Sequence, residues 1–268
     1  MGTDLNDEAK QHEEDLERIA NFRLMDDDYM TAFFNKYPEG VELMLRIIMN
    51  KPGLAVRDVK TQNVLKNLHG RSITLDVDAS DTDGTEYNVE IQRSDAGADP
   101  KRARFHGGMK DMDVLKPGDD FSDLPETYII FITENDVIGE NERLYVIDRY
   151  INGTERRFDD GLHILYVNSE IQDETDLGRL MHDFYCKRPE EMHYRELRER
   201  AHYFKETEEG VTAMCKAMED MRKETAHQIM VRNAREMLSD SRFSHEDVAR
   251  FSGLTLDEVK ELAGEKSA

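Results

Sequence analysis

The 268-residue chain has no tryptophan, two cysteines and six prolines, and it is short of positive charge: 36 lysines and arginines stand against 58 aspartates and glutamates, a net −22. Each shortage excludes something. Cys186 and Cys215 offer no partner motif, which points to a reducing, cytoplasmic compartment. No apolar run approaches the roughly 20 residues that a membrane-spanning helix needs. The acidic opening, MGTDLNDEAKQHEEDLERIA, lacks the apolar core of a secretory signal. His163, His182, His193, His202 and His227 show no HExxH spacing, which argues against zinc. Gly-rich phosphate loops and Gly-x-Ser-x-Gly are missing too. A general nucleic-acid binder is normally basic, so any contact with DNA must be local, through metal ions or a basic patch.

What is present reads as one sheet-centred domain with a helical appendage. Residues 1–24 form an acidic helix or arm. In PEGVELMLRIIMN, Val41, Met44, Leu45 and Ile48 recur at helical spacing behind Pro38. A hairpin follows, and then KRARFHGGMKDMDVL, residues 101–115, reads as a helix with a basic first turn. ETYIIFITEN, RLYVIDRYI and LHILYVNS are strands, the first of them buried on both faces. Leu177, Leu180, Met181 and Phe184 share a helical face. Residues 25–205 are the expected domain, 206–240 a helical connector, and 241–268 a pair of short helices with Ser and Thr caps and a Gly between them. Asp and Glu crowd that pair, so packing rather than groove reading is its expected role.

The hairpin, LDVDASDTDGTEYNVEIQ, carries the chemistry. Side chains alternate along a strand. Ile73, Leu75 and Val77 share one face with Tyr87, Val89 and Ile91. Thr74, Asp76 and Asp78 share the other with Asn88, Glu90 and Gln92, a face expected to be wet. A two-residue Asp83-Gly84 turn would put Asp76 and Glu90 on opposite faces. A three-residue loop, Thr82-Asp83-Gly84 with Gly in the left-handed position, sets them side by side, and the apolar pattern demands it. Opposed carboxylates cost up to about 1 kcal/mol in an exposed pair. A neighbouring cation, a shared proton or a bound divalent metal would relieve that. Hard oxygen ligands suit Mg²⁺ or Mn²⁺, and Gln92 could orient a bound water. Asp78, Asp81 and Asp83 read as solvent and turn residues.

Asp76, a hairpin, then Glu90-Ile91-Gln92, flanked by GRSITLDVDASDTDGTEYNVEIQRSD, KRARFHGGMKD and LPETYIIFITEND, resembles the Rpn recombination-promoting nucleases, a group of PD-(D/E)XK nuclease family transposases. The similarity runs from about residue 25 to 215, and EDVARFSGLTLDEVKEL resembles the tail of many relatives. The resemblance implies an α/β, restriction-endonuclease-like core: a central mixed β-sheet flanked by helices, with a helical C-terminal tail. It implies Mg²⁺- or Mn²⁺-dependent DNA cleavage, with Asp76, Glu90 and the Ile91 carbonyl on the metal. Gln92 stands where the wider superfamily has Lys, which a glutamine cannot replace as a point charge. Glu42 matches the acidic residue such nucleases place at the site edge. Arg102 and Arg104 would dock DNA phosphate at the helix start. His106 falls where relatives tend to have an aromatic residue.

Two readings follow. The first is a metal-dependent DNA endonuclease linked to recombination or mobile elements, working as a homodimer where both strands are cut. The second is a catalytically weakened nuclease scaffold that binds DNA or protein, favoured by the net charge and by Gln92.

Overall fold

The two alternating runs around Asp83-Gly84 pair as the sequence demands. The structure, a computed structural model, describes residues 2–67, 71–240 and 242–264, and the side chains of 2–9 and 95–96 fall outside the description. The end of the expected C-terminal pair, 265–268, also lies outside it.

Residues 1–214 form one compact unit and 215–268 a second. In the first, α1 (Gly2–Asn21), α2 (Asp27–Phe34) and α3 (Pro38–Ile48) lead into strands β1 (Val56–Leu65), β2 (Ile73–Asp81) and β3 (Glu86–Gln92). Helix α4 (Pro100–Val114) precedes β4 (Thr127–Thr133), β5 (Leu144–Ile147) and β6 (Leu162–Asn168), and α5 (Asp176–Tyr185) and α6 (Arg195–Glu206) follow. Helix α7 (Glu208–Leu238) starts in the first unit and continues into the second, which also holds α8 (His245–Ser252) and α9 (Leu256–Leu262).

The six strands make one mixed sheet in the order β1-β2-β3-β4-β6-β5. The β3–β4 and β4–β6 pairs are parallel and the others antiparallel. With helices on its faces it has the architecture of a restriction-endonuclease-like α/β fold. Val77 pairs with Val89 and Ala79 with Tyr87, the register expected for a three-residue loop. Gly84 has φ +89°, the left-handed conformation that glycine adopts without a Cβ penalty. Strand β4 is buried along almost its whole length.

Helix α4 crosses from β3 to β4 and lies on the face carrying Asn88, Glu90, Ile129, Phe131 and Tyr166. Ala103 packs against that apolar group, and Gly107 lets the helix come close, because a Cβ there would meet Leu162 Cδ2 at 2.7 Å. The face expected to be wet is therefore covered. Asn88 and Glu90 are 0 % exposed, and Asp78 is buried in an ion triad: Lys110 Nζ lies 2.5 Å from Asp78 Oδ1 and 2.7 Å from Glu86 Oε2. Asp81 is a turn residue but buried, accepting from Asp83 N, Thr85 N and Tyr87 Oη. Burial, not solvation, is what these acids share: Asp78 is covered by α4 through Lys110, whereas Asp81 is enclosed by its own turn and by Tyr87.

In the second unit, Ala234, Val248, Leu254 and Val259 form the core. Ser244 and Thr255 each cap a helix through a reciprocal capping box, and Gly253 between them has φ +82°.

Candidate active site

Strand alternation holds from Val77 onward and fails just before it. Ile73 and Leu75 cluster with Met109 of α4, on the side where Asp78 meets Lys110, so the chain turns over between Leu75 and Asp78. Gln62 of β1 lies opposite this point, bracketed by the Thr61–Val77 and Asn63–Leu75 pairs. Its φ of +50° is unusual for a side-chain-bearing residue. Conformations of this kind cost of order 1–3 kcal/mol and cluster at functional sites.

The sheet forks at the same place. Pairing between β2 and β3 ends at Val77–Val89, while β2 continues with β1 to Ile73 and β3 continues with β4 to Gln92. In the fork, side chains take the place of the missing ladder. Asp76 N donates to Glu90 Oε1 (3.3 Å), and Ile91 N donates to Asp76 Oδ2 (3.1 Å). Gln92 O accepts from Glu134 N beyond β4. Alternation along a strand therefore turns the N–H and C=O of Ile91 toward the fork.

Asp76 is held from the α2 side, since Gln62 Nε2 reaches both Asp76 Oδ1 (3.5 Å) and Thr31 Oγ1 (3.2 Å). Glu90 is held from the α4 side, where Arg102 Nη2 lies 3.0 Å from Oε2 and His106 Nδ1 lies 3.5 Å from Oε1. Burial first, and the Glu90 charge second, push the Asp76 carboxyl up to about 8. Asp27 at the start of α2 is also raised, by burial and then by the charges of Asp28 and Glu90. The fork thus brings Asp76 and Glu90 together beside one guanidinium, near enough to Asp27 for their charges to be felt. Hard oxygen donors in this excess are the set a divalent cation would satisfy.

The structure brings together Asp76, Glu90, Ile91, Gln92 and Arg102. It does not bring Glu42. Glu42 Oε2 accepts from Val56 N (2.9 Å) and Oε1 pairs with Arg46 (2.6 Å). Val56 sits opposite Asp81, five residues along β2 from Asp76, or about 16 Å at the usual strand rise. The acid near the fork is Asp27, at the start of α2. Its DDD run reads as a helix start, and nothing in its spacing announces that α2 reaches the fork.

Gln92 and Arg102 meet each other at the fork. The Gln92 carboxamide oxygen is turned to Arg102 Nη1 at 3.4 Å. Arg102 Nη2 pairs with Glu90 Oε2 at 3.0 Å. The start of α4 is also no open anion site, because the Asp99 side chain caps it by accepting from Lys101 N (2.7 Å). His106 is buried, accepts from Arg102 Nε at its Nε2 (3.3 Å) and lies 3.0 Å from Asn88 Nδ2 at its Nδ1. It belongs to the packing beneath the site. Arg104 stays exposed on the same helix.

Two open grooves meet at Asp76 and Arg102, which line both. The larger, about 1150 Å³, carries Arg71, Lys101 and Arg104. The smaller, about 660 Å³, carries Asp26, Asp27 and Asp28 with Gln92 and Arg93. Among the described residues, the group of three ligand-type side chains whose ligand atoms lie close together is His182, Asp183 and Cys186, outside the fork. There Asp183 already accepts from His193 N and Tyr194 N at the start of α6.

A family model described as PD-(D/E)XK nuclease family transposase matches residues 53–247. The chain belongs to that family. The match starts later than the resemblance read from sequence and reaches further into the tail. It leaves α2, and with it Asp27, outside. No curated protein and no solved structure gives a significant match. Membership of the PD-(D/E)XK nuclease family transposases makes the chain's function nuclease-type. Among the described residues no helix is long and apolar enough to cross a membrane.

Proposed function

We propose that the protein is a metal-dependent DNA endonuclease whose reaction is centred on the β2–β3 fork. The observation that carries this reading is the crossed pair at the fork, where Asp76 and Glu90 each accept from the other strand's backbone. Two carboxylates inserted into an opened ladder, one of them held near a pKa of 8, make a poor structural element and a good ion cradle. Asp76, Glu90 and the Ile91 carbonyl would hold Mg²⁺ or Mn²⁺, with Asp27 at the edge in place of Glu42. A bound ion of this kind supplies a water of lowered pKa and counter-charge for a phosphate.

The chain's own residues do the positioning. Arg71, Lys101 and Arg104 give the larger groove its positive wall, and the sugar–phosphate backbone would run along it with a phosphodiester over Asp76. Asp99 neutralises the helix terminus, so docking there depends on side chains and not on the helix dipole. The groove on the other side mixes acids with Arg18 and Arg93, which pair with Asp28 and Asp26, and would leave an approach for cations and water.

Plasmid nicking at low salt, with and without Mg²⁺, tests this. Asp76→Ala and Glu90→Ala should both abolish nicking, and equal rates in both variants and the wild type would refute the mechanism. The guanidinium on Glu90 favours a second reading, a weakened nuclease scaffold in which Arg102 is a permanent counter-ion. Calorimetry separates the two: the scaffold reading predicts no Mn²⁺ binding that depends on Asp76 and Glu90.

A further inference from the structure

Asp76 and Glu90 leave one demand of phosphodiester cleavage unmet. Positive charge must reach the phosphate as it is attacked, and the residue two places after Glu90 is the uncharged Gln92. Its side chain lies folded over Gly97: a Cβ on residue 97 would fall 1.9 Å from Gln92 Oε1. That oxygen accepts from Arg102 Nη1 (3.4 Å), and the Gly97 carbonyl accepts from the same nitrogen (3.2 Å). Arg102 Nε donates to His106 Nε2 (3.3 Å). Three neutral acceptors therefore grip the guanidinium from behind, and only Nη2 points forward, to Glu90 Oε2. With its side chain 37 % exposed, Arg102 stands with Asp76 between the two grooves.

We propose that Arg102 provides the charge that a lysine at position 92 would provide, and that Gln92 and Gly97 are the cradle that aims it. This rests on the nuclease reading. In the resting site Nη2 holds Glu90. When a phosphodiester is bound, the same edge turns to a non-bridging phosphate oxygen while Gln92 and Gly97 keep their hold on Nη1. A guanidinium already fixed in direction loses little freedom when it binds, and its fork suits phosphate oxygens. Gln92 is then a positioning residue, and glycine at 97 is required because any side chain there would displace the carboxamide.

The test uses the full chain, plasmid as substrate, and Mn²⁺ affinity by calorimetry as a second readout. Arg102→Ala should cleave at least 100-fold more slowly, the usual scale for losing one electrostatic donor. It should bind Mn²⁺ more tightly, because Glu90 loses a competing cation. Adding Gln92→Lys to Arg102→Ala should restore at least tenfold of the rate. Gly97→Ala should lose about tenfold in rate at unchanged Mn²⁺ affinity. A folded Arg102→Ala that cleaves within threefold of wild type overturns the proposal, as does a double variant no faster than Arg102→Ala when both melt near wild type. Should Arg102→Ala fail to fold, Gly97→Ala decides: full activity overturns the proposal, and loss of rate with intact Mn²⁺ binding supports it. A wild type that neither binds Mn²⁺ nor cleaves removes the nuclease reading itself, whereas a wild type that does both beside an unaffected Arg102→Ala removes only the role of Arg102.

Discussion

Asp76→Asn should make the ion-free protein more stable at pH 8.5. The carboxyl is raised from the ordinary 3.8 to about 8, by burial and then by Glu90. A carboxyl raised on folding binds its proton more tightly in the folded than in the unfolded chain. Stability therefore falls as pH rises from about 4, and the full loss is reached above about 8. At about 1.4 kcal/mol per pKa unit the ceiling is roughly 6 kcal/mol. Water at the partly exposed side chain, and sharing of the titration with Glu90, reduce that to about 1–3 kcal/mol. Asparagine keeps the shape and keeps an acceptor for Ile91 N without the charge. At about 2–4 °C per kcal/mol for a unit of this size, the variant should melt about 2–12 °C higher than wild type at pH 8.5 in EDTA. The gap should narrow to about a third or less at pH 5, where the folded aspartate is protonated but the unfolded one has begun to lose its proton. Saturating Mn²⁺ at pH 8.5 should raise the melting temperature of the wild type and leave Asp76→Asn unchanged. Thermal melts across this grid read the whole pattern. An asparagine variant no more stable than wild type at pH 8.5, or a gap of equal size at pH 5, would refute the assigned environment of Asp76.

Three further outcomes follow from particular contacts. Glu42→Ala should leave plasmid nicking at the wild-type rate while lowering stability by about 1–2 kcal/mol, since it removes only the acceptor for Val56 N and the partner of Arg46; a large loss of rate at unchanged fold would return Glu42 to the site. Lys110→Met strands Asp78 and Glu86 without their cation, and denaturant unfolding should show a cost of about 3–5 kcal/mol. A cost under about 1 kcal/mol would mean that water reaches the triad. Asp27→Asn should weaken Mn²⁺ binding by about tenfold, or about 1.4 kcal/mol, measured by calorimetry, and equal affinity would take Asp27 out of the ion's reach.

The hairpin was legible because its apolar pattern admits a single loop length. Once Val77 and Val89 must face the same way, a three-residue loop ending in Gly84 follows; the meeting of Asp76 and Glu90 was not legible in the same way, because pairing ends at Val77–Val89 and the two carboxylates cross an opened fork. The caps of α8 and α9 were legible for a similar local reason, each being a Ser or Thr followed three residues later by an acid. Strand β1, VRDVKTQNVL, was missed because an edge strand with one wet face carries no continuous apolar signal, and Gln62 breaks even its alternation. The wet face expected beneath the hairpin was wrong because α4 covers it, a fact set by the β3–β4 crossover rather than by any residue on the strands.

The choice between Glu42 and Asp27 shows where sequence spacing runs out. Both acids lie on amphipathic helices just before the hairpin, and either could be drawn at the site edge. The packing of α3 against β1 takes Glu42 to the far end of β2, while α2 meets the strained Gln62 through Thr31 and so lies beside Asp76. Net charge misleads in the same way. The −22 is a property of the whole chain, whereas screening limits what a phosphate feels to roughly 10 Å. The larger groove beside the fork presents Arg71, Lys101, Arg102 and Arg104 against Asp76 and Asp99. The acids at Asp26, Asp27 and Asp28 line the opposite groove. An acidic protein can therefore carry a nucleic-acid cleft, provided that the acids nearest the reaction stand on the cation's side of it, and Arg102 is the residue that divides the two.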